Sequence, residues 1–201
     1  SVFTGLSIIC NAQIITTVAG GGTLGDGASA ISARIDHPCG LVFSKNRELY
    51  IASGSSNKVR KIDSCGVIST IAGTGMSGYS GDFGAATSSL INFPIGIALD
   101  TSGNIYFSEL NNHIIRRVDR LSGVITTICG NGTAGYSGDN GPASTALLRN
   151  PQSICIDNFN NIYISDNNHV VRKIDATGVV TTIAGTGVAG FNGDGILATN
   201  A

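Results

Sequence analysis

Histidine side chains are the first candidates for chemistry in this chain of 201 residues. A neutral imidazole binds metals and accepts protons near pH 7, so His113 and His169 could be ligands or bases. Both stand at the same position of a repeated segment, whereas His37 stands at an unrelated one. A catalytic zinc ion needs about three converging ligands. We therefore predict that His113 and His169 fix a turn by hydrogen bonding, and we expect neither a metal nor another cofactor.

A set of loop aspartates, each placed after a glycine, could bind a cation. Carboxylates combined with backbone carbonyls suit Ca²⁺, and the candidate calcium ligands are Asp26, Asp82, Asp139 and Asp194. One carboxylate in each loop is few for calcium. We therefore favour a structural role, in which each carboxylate accepts backbone N–H bonds or caps a short helix.

Two further charged sets recur once in each copy of the repeat. The basic set is Arg60, Arg116 and Arg172, and the acidic set is Asp63, Asp119 and Asp175. We expect ion pairs or backbone contacts within or between the copies. The net charge is −1, from 12 basic and 13 acidic residues. Because nucleic-acid binding normally leaves a basic surface, we predict no nucleic-acid partner.

The loops also carry aromatic residues and one glycosylation signal. Tyr79, Tyr136 and Phe191 recur at one loop position, where they either anchor the loop or form an exposed apolar rim, and we favour anchoring. Asn131-Gly132-Thr133 is an N-glycosylation sequon, which has meaning only in a protein that a eukaryote secretes. Cys39 and Cys65 follow no repeat pattern, and a disulfide between them stays an open alternative.

These sets belong to a repeat with a period of about 56 residues. The segment Ile-Ala-Gly-Thr-Gly at 71–75 returns at 128–132 as Ile-Cys-Gly-Asn-Gly and at 183–187 unchanged. A fixed period indicates tandem copies of one supersecondary unit. A residue found in every copy therefore serves the fold, and a residue that breaks the pattern is where an individual function would lie.

Each copy of the repeat predicts four short strands. Residues 93–132 contain four β-rich runs separated by turn residues, which favours an antiparallel meander. Apolar residues occupy both faces of these runs, so both faces must be covered. Four-stranded sheets packed face to face are the blades of a β-propeller. Between blades, Pro142 and the alanine-rich run 143–148 predict a short helix in the loop.

Several motifs resemble those of NHL-repeat proteins. They are Asn112-His113-Ile114-Ile115-Arg116-Arg117-Val118-Asp119, its copy at 168–175, Pro94-Ile95-Gly96-Ile97, Gly103-Asn104-Ile105-Tyr106 and the Gly-Tyr-Ser-Gly-Asp loop. The resemblance covers residues 14–201 and implies an all-β propeller, most often six-bladed. The first copy departs from it, since Ser56-Asn57-Lys58-Val59 has no histidine and Ala52-Ser53-Gly54 has no acidic residue.

The repeat also sets the expected boundaries. Residues 1–13 form an apolar leader, which is either the end of a signal peptide or an extra strand. Residues 14–36 hold a partial blade, with a lone fourth strand at Ile14–Ala19, and its loop. Three complete blades follow at 37–92, 93–149 and 150–201, the last with a truncated loop. No apolar run reaches the roughly 18 residues of a membrane span.

Three blades leave two apolar faces open to water. Either the chain is part of a longer propeller, which we favour, or a second copy completes the ring by self-association. We expect a non-enzymatic scaffold of an extracellular or cell-surface protein that contacts a protein or surface polymer. The alternatives are a lyase or hydrolase with a site in the central channel, and the sensor ectodomain of a receptor kinase. Against an enzyme, the first strands of the blades are nearly all apolar.

Overall fold

The computed structural model describes residues 15–201, which form three antiparallel sheets, two of four strands and one of five. The first sheet contains β1 (Pro38–Phe43), β2 (Leu49–Ser53), β3 (Lys58–Ile62) and β4 (Ile68–Ala72). The second contains β5 (Pro94–Leu99), β6 (Ile105–Glu109), β7 (Ile114–Val118) and β8 (Ile125–Cys129). The third contains β10 (Ile154–Ile156), β11 (Ile162–Asp166), β12 (Val170–Ile174) and β13 (Val179–Ala184), with the short β9 (Gly141–Pro142) paired to β13. Strand order follows chain order within each meander, as the repeat predicts.

The first strands of neighbouring sheets pack against each other. Strand β1 contacts β5, and β5 contacts β10, so these strands form the inner edge of the stack. Gly40 and Gly96 allow this close approach. A Cβ at Gly40 would lie 2.3 Å from the Ile95 carbonyl oxygen, and one at Gly96 would lie 2.3 Å from that of Gln152. This arrangement confirms the all-β propeller class.

Apolar side chains fill the spaces between sheets. One cluster joins the first and second sheets around Phe107, and another joins the second and third around Ile164. On the other side of the first sheet, Ala30 and Ala33 of the preceding loop cover Ile51. Every residue of β6 is therefore buried, as expected for a sheet that is covered on both faces.

The linkers between sheets contain short 3-10 turns in place of the expected helices. These turns are Ala30–Ser32, Ala86–Ser88, Ala143–Thr145 and Ala198–Asn200. Beyond Thr145 the chain is held by its own loop, because the Leu147 N–H donates to the Ser137 carbonyl at 3.3 Å and Leu148 pairs with Ala134. A longer helix would break both contacts, so propensity alone overestimated the helical length.

The start of the described range also differs from expectation. Residues 15–19 are outside every strand, so the predicted strand at Ile14–Ala19 is not formed there. A strand needs a hydrogen-bonded neighbour, and within residues 15–201 none pairs with this segment. The leader at 1–13 and Ile14 lie outside the described residues.

Candidate functional site

A buried arginine lies at the junction between the first and second sheets. The side chain of Arg116, on β7, is fully buried. Its guanidinium lies 2.9 Å from Asp82 and 3.2 Å from Glu109, and it donates to the Ser80 carbonyl at 3.3 Å. Tyr79 packs over it at 5.4 Å from the ring centroid, a cation–π geometry. Because Tyr79 and Asp82 come from the preceding linker, this arginine fastens the linker to the following sheet.

The junction between the second and third sheets repeats this arrangement. Arg172, on β12, is fully buried and lies 2.5 Å from Asp139. It also donates to the carbonyls of Ser137 and Leu147. Tyr136 lies 5.4 Å from the guanidinium, and its hydroxyl contacts Thr182 at 2.9 Å. We call the five-residue linker segment that grips the arginine, Gly78–Asp82 or Gly135–Asp139, the clasp.

The clasp that precedes the first sheet is a reduced version. Arg60 donates to Asp26 at 2.6 Å, and the Asp26 carboxylate also accepts the Thr70 N–H. Thr23 stands where the later clasps have tyrosine, so no aromatic ring covers Arg60 from this position. The ion pair is therefore the part of the clasp that all three sheets share.

These contacts bear on the candidate calcium ligands. Partial burial opposes ionisation of Asp139, but contacts with Thr182 and the Arg172 guanidinium lower the pKa of its carboxyl below the ordinary value. Asp26 and Asp82 likewise lie against arginine, whereas Asp194 is exposed. Within residues 15–201, no three His, Cys, Asp or Glu side chains converge as a metal site would require. The geometry of Asp26, Asp82 and Asp139 suits an arginine partner better than a calcium ion.

Glu109 is a buried acid beside Arg116. Burial raises the pKa of Glu109 to about 7, although Arg116, the Asn92 N–H and the Asn112 side chain oppose the shift. Burial also raises the pKa of Asp166, its counterpart in the third sheet. The first sheet has Ser53 in this place. An acidic residue therefore stands near the buried arginine in the second and third sheets but not in the first. The spacing in the sequence did not indicate that this acid lies near the arginine.

His113 and His169 lie in the turns that directly precede the third strands, β7 and β12. His113 accepts a hydrogen bond from the Asn150 N–H through Nδ1 at 3.1 Å, and Asn57 accepts one from the Phe93 N–H at 3.0 Å in the first sheet. Both residues have positive φ, a conformation that asparagine and histidine adopt more readily than most residues. Burial lowers the pKa of His113, which favours the neutral acceptor. His169 has the same backbone conformation but is exposed.

The acidic residues that follow each third strand lie in tight turns. Asp63 accepts the N–H groups of Cys65 and Val67, and Asp175 accepts those of Thr177 and Val179, all at 2.9–3.0 Å. Asp119 accepts the N–H groups of the two residues at 121 and 122. These are side-chain-closed turns of the kind that aspartate favours. Asn131, the sequon residue, is exposed on a linker.

One pair of nucleophilic and basic groups breaks the repeat on the innermost strand. The Cys39 thiol, at the start of β1, lies 3.2 Å from Nδ1 of His37. The His37 ring packs on Phe93 with centroids 5.3 Å apart. The other sheets place Phe93 and Ile95, or Asn150 and Gln152, at these two positions. The repeat pattern identifies Cys39 as irregular but gives no sign of its contact with His37. Both Cys39 and Cys65 are free thiols, so the disulfide between them is not formed.

A cleft at the seam between the first and second sheets is the second irregular feature. Its volume is about 270 Å³, and it is lined by the turns at 43–50 and 99–103 together with Arg120. Phe43 is 68% exposed at its rim and Leu121 is 92% exposed next to Arg120. Lys45 is exposed at the same rim. We call Phe43, Lys45, Arg120 and Leu121 the seam patch, and sequence inspection had missed it.

The seam patch differs from its counterparts in the other sheets. Arg120 is replaced by Ser64 and Ala176, and Leu121 has no counterpart in the two shorter turns. Deeper in the cleft, Glu48 binds Lys61 at 2.9 Å, which together with other contacts lowers the pKa of Glu48. A departure from the repeat was the signal that could have identified this patch.

Comparisons with known proteins agree with this architecture. The family model of the teneurin NHL domain matches residues 129–191. Mouse (Mus musculus) teneurin-1 is 33% identical over 70% of this chain and 6% of its own length. Chicken (Gallus gallus) NHL repeat-containing protein 2 is 32% identical over 51% of this chain and 14% of its own. The chloroplastic protein SUPPRESSOR OF QUENCHING 1 of Arabidopsis thaliana is 25% identical over 75% of this chain and 15% of its own.

Among solved structures, a gluconolactonase from Xanthomonas campestris superposes with a TM-score of 0.54 over 75% of this chain and 48% of that one. Because the sequence identity is only 15%, this match shows a shared fold and carries no argument about activity. The chain spans between 6% and 15% of the length of the curated relatives named above. The repeat motifs, the stacked four-stranded sheets and these matches together show that the chain belongs to the NHL-repeat family of β-propeller proteins.

Proposed function

We propose that this chain is a non-enzymatic scaffold that binds a protein partner through the seam patch. The observation that carries the proposal is the contrast between two groups of residues. The charged groups that recur in every blade are used in contacts within the chain: the arginines hold linkers to sheets, and the aspartates after the third strands close turns. Phe43, Lys45 and Arg120, which differ from their counterparts in the other blades, line one cleft. A scaffold that binds its own partner needs repeated contacts that hold the blades and a surface that differs from blade to blade. The repeated polar contacts provide the first, and the seam patch provides the second.

The composition of the seam patch suits a protein partner. Aromatic and arginine side chains are enriched where proteins bind one another. Phe43 and Arg120 flank a cleft, so a partner side chain could enter between them while Leu121 and Lys45 contact its surroundings. A surface polymer that carries negative charge is the less favoured partner, because Glu48 and Asp100 also line the cleft.

An extracellular or cell-surface setting belongs to the same proposal. Asn131 is exposed in an Asn-Gly-Thr sequon, and its side chain accepts the Thr133 N–H at 2.9 Å. We expect a glycan on Asn131 when peptides from the native protein are mapped by mass spectrometry. Native protein that carries unmodified Asn131 throughout would remove the main support for this setting. Within residues 15–201, no helix is both long and apolar enough to cross a membrane.

Cross-linking tests the binding role. The chain is used as bait in an extract of its source cells, beside a Phe43→Ser/Arg120→Glu variant and a Phe159→Ser control. Phe159 is also a highly exposed aromatic on a turn, but it belongs to the third sheet. We expect one partner to be cross-linked to the seam patch and retained by the control. Replacing the residues at the centre of an interface, as in Phe43→Ser/Arg120→Glu, weakens binding by about 30-fold or more. Equal binding by the double variant would refute the role of the patch.

An enzyme of hydrolase or lyase type is the second candidate, because of Cys39 and His37. A thiol within 3.2 Å of an imidazole has the arrangement of a nucleophile with its base. The gluconolactonase mentioned above shares only the fold. The test is a screen of esters and lactones with the chain, Cys39→Ala and a Cys65→Ala control. Turnover that disappears only in Cys39→Ala would defeat the scaffold proposal. The third candidate, the sensor ectodomain of a receptor kinase, needs a membrane span elsewhere in the protein.

A further inference from the structure

The buried arginine of the first sheet lacks the second carboxylate that accompanies Arg116. In the second sheet, Glu109 lies 3.2 Å from the Arg116 guanidinium. Ser53 occupies the Glu109 position in the first sheet, where Arg60 is 6% exposed. The two sheets have the same strand register at these positions. The Ser53 hydroxyl therefore projects from the same face as Arg60, where the second sheet holds a carboxylate.

Three buried polar atoms on this face have no hydrogen-bond partner among residues 15–201. They are the Ser53 hydroxyl, the Thr70 hydroxyl and Nε of Arg60. Ser53 is 1% exposed, and a buried polar atom without a partner in the chain commonly marks a bound water molecule or ion. Nε of Arg116 also lacks a partner, so the two hydroxyls are what set the first sheet apart.

The Thr70 hydroxyl has no partner because an aromatic residue is replaced in the preceding linker. In the second sheet, Thr127 is the counterpart of Thr70, and its hydroxyl contacts that of Tyr79 at 3.1 Å. Thr23 stands at the tyrosine position in the linker before the first sheet. Its shorter side chain carries neither the hydroxyl that would reach Thr70 nor a ring that would cover Arg60.

Lys58 adds a second positive charge to the same face of the first sheet. It lies directly opposite Ser53 in the pairing of β2 with β3, so the two side chains project from one face. The second and third sheets have Ile114 and Val170 in its place. Among residues 15–201, no carboxylate lies within ion-pair distance of the Lys58 ammonium. The lysine is therefore a departure from the repeat that increases the positive charge beside the arginine.

The balance of charges in the first sheet favours an added anion. Arg60 and Lys58 share one face, and Asp26 supplies the one carboxylate that pairs with either of them among residues 15–201. In the second sheet the numbers are reversed, because the buried arginine lies against two carboxylates. The acid nearest along the chain, Asp36, already binds Arg34 at 3.0 Å. A single negative charge beside Ser53 would restore the balance of the second sheet.

We propose that the first sheet binds a small monovalent anion between Ser53 and Arg60, at the position that the Glu109 carboxylate fills in the second sheet. The anion accepts hydrogen bonds from the Ser53 hydroxyl and the Arg60 guanidinium, and Lys58 helps to balance its charge. Chloride and formate share this chemistry, and formate has the shape of the carboxylate that the first sheet lacks. The proposal goes beyond the scaffold role and does not depend on the seam patch.

We expect weak binding, because a negative charge at this position carries a cost of burial. Burial raises the pKa of Glu109 to about 7 and also raises the pKa of Asp166. We therefore expect a dissociation constant of about 50 mM. An increase of the anion from about 10 to about 500 mM then favours the folded chain about ninefold, which raises the urea midpoint by about 0.6 M.

Urea unfolding of the chain in three sodium salts tests the proposal. Chloride and formate are each compared with gluconate at the same ionic strength, because gluconate carries the same charge but is too large for a buried site. We expect the midpoint to rise in chloride, formate or both relative to gluconate, and the larger rise identifies the anion that fits better. Equal midpoints in the three salts would overturn the proposal.

Two matched variants and a diffraction experiment locate the effect. Ser53→Glu supplies the carboxylate from the chain itself and should remove the difference between the salts, whereas Ser64→Glu makes the same change on an exposed turn and should keep it. Anomalous diffraction from crystals of the unmodified chain soaked in bromide should show a peak in contact with Ser53 and Arg60, which tests the site even if Ser53→Glu fails to fold. A salt difference that persists in Ser53→Glu, or crystals without that peak, would contradict the proposal. Neither failure affects the seam patch, whose test is the cross-linking comparison.

Discussion

Replacement of Asp139 by asparagine should strongly destabilise the third sheet. Arg172 is fully buried, and Asp139 is its ion-pair partner at 2.5 Å. Removing one partner of a buried pair costs about 3–5 kcal/mol, because a buried charge is left uncompensated. The Asp139 side chain is 31% exposed, so water can reach part of the site. We therefore expect the low end of that range, about 3 kcal/mol in the free energy of unfolding.

Two matched variants separate this effect from a general loss of a surface charge. Asp82→Asn should cost about half as much, because Glu109 still lies 3.2 Å from Arg116. Asp194→Asn should leave the stability unchanged, since no arginine of residues 15–201 lies against Asp194. Asp194 thus serves as the control at the equivalent position of the repeat, with no ion pair among residues 15–201.

Urea unfolding followed by circular dichroism measures all three variants. With a slope of about 2 kcal/mol per molar urea, the Asp139→Asn midpoint should fall by about 1.5 M. The slope itself should not change, since the surface exposed on unfolding is the same. Equal midpoints for Asp139→Asn and Asp194→Asn would refute the claim that the clasp carboxylates act through buried arginines.

Three further outcomes follow from single contacts. Tyr136→Leu should cost about 1–2 kcal/mol, because it loses the cation–π contact and the Thr182 hydrogen bond, whereas Phe191→Leu should be neutral in the same urea assay. Gly96→Ala should lower the free energy of unfolding by about 1–3 kcal/mol, because its Cβ would lie 2.3 Å from the Gln152 carbonyl oxygen. Gly190→Ala has open space around its Cβ and should change the thermal midpoint little. Glu109 has a pKa of about 7 in the folded chain against an ordinary 4.5, so the native state binds the extra proton between these values. Its contribution to stability should be complete below about pH 4.5 and be lost as the pH rises through 7, and Glu109→Gln should flatten that slope in a pH series of urea midpoints.

The strands were predictable from the sequence because their signals are local. Short apolar runs between turn residues define each meander, and the apolar residues on both faces required covered sheets. The choice of Asn57 or His113 at a left-handed position is local as well, since it depends on the backbone of one residue. The number of blades in the closed ring stays a prediction.

The partners of the arginines were not predictable in the same way. Arg172 meets Asp139, which lies 33 residues earlier, because the linker crosses the outer strand of the following sheet. Sequence inspection named both sets but could not follow that path. The contact of Cys39 with His37 was missed for a local reason, because His37 has a positive φ of 50° that no residue pattern revealed. Propensity likewise gave a helix where loop contacts permit one 3-10 turn at Ala143–Thr145.

The most direct test of the central claim measures binding and folding on the same protein. The claim is that repeated polar residues hold the blades together, whereas the seam patch binds the partner. Once cross-linking has identified a partner, its Kd is measured by calorimetry for the chain and for Phe43→Ser/Arg120→Glu, together with the urea midpoint of each. The account predicts a Kd weakened by about 30-fold or more with an unchanged midpoint. An unchanged Kd, or a loss of binding that merely follows a loss of stability, would contradict it.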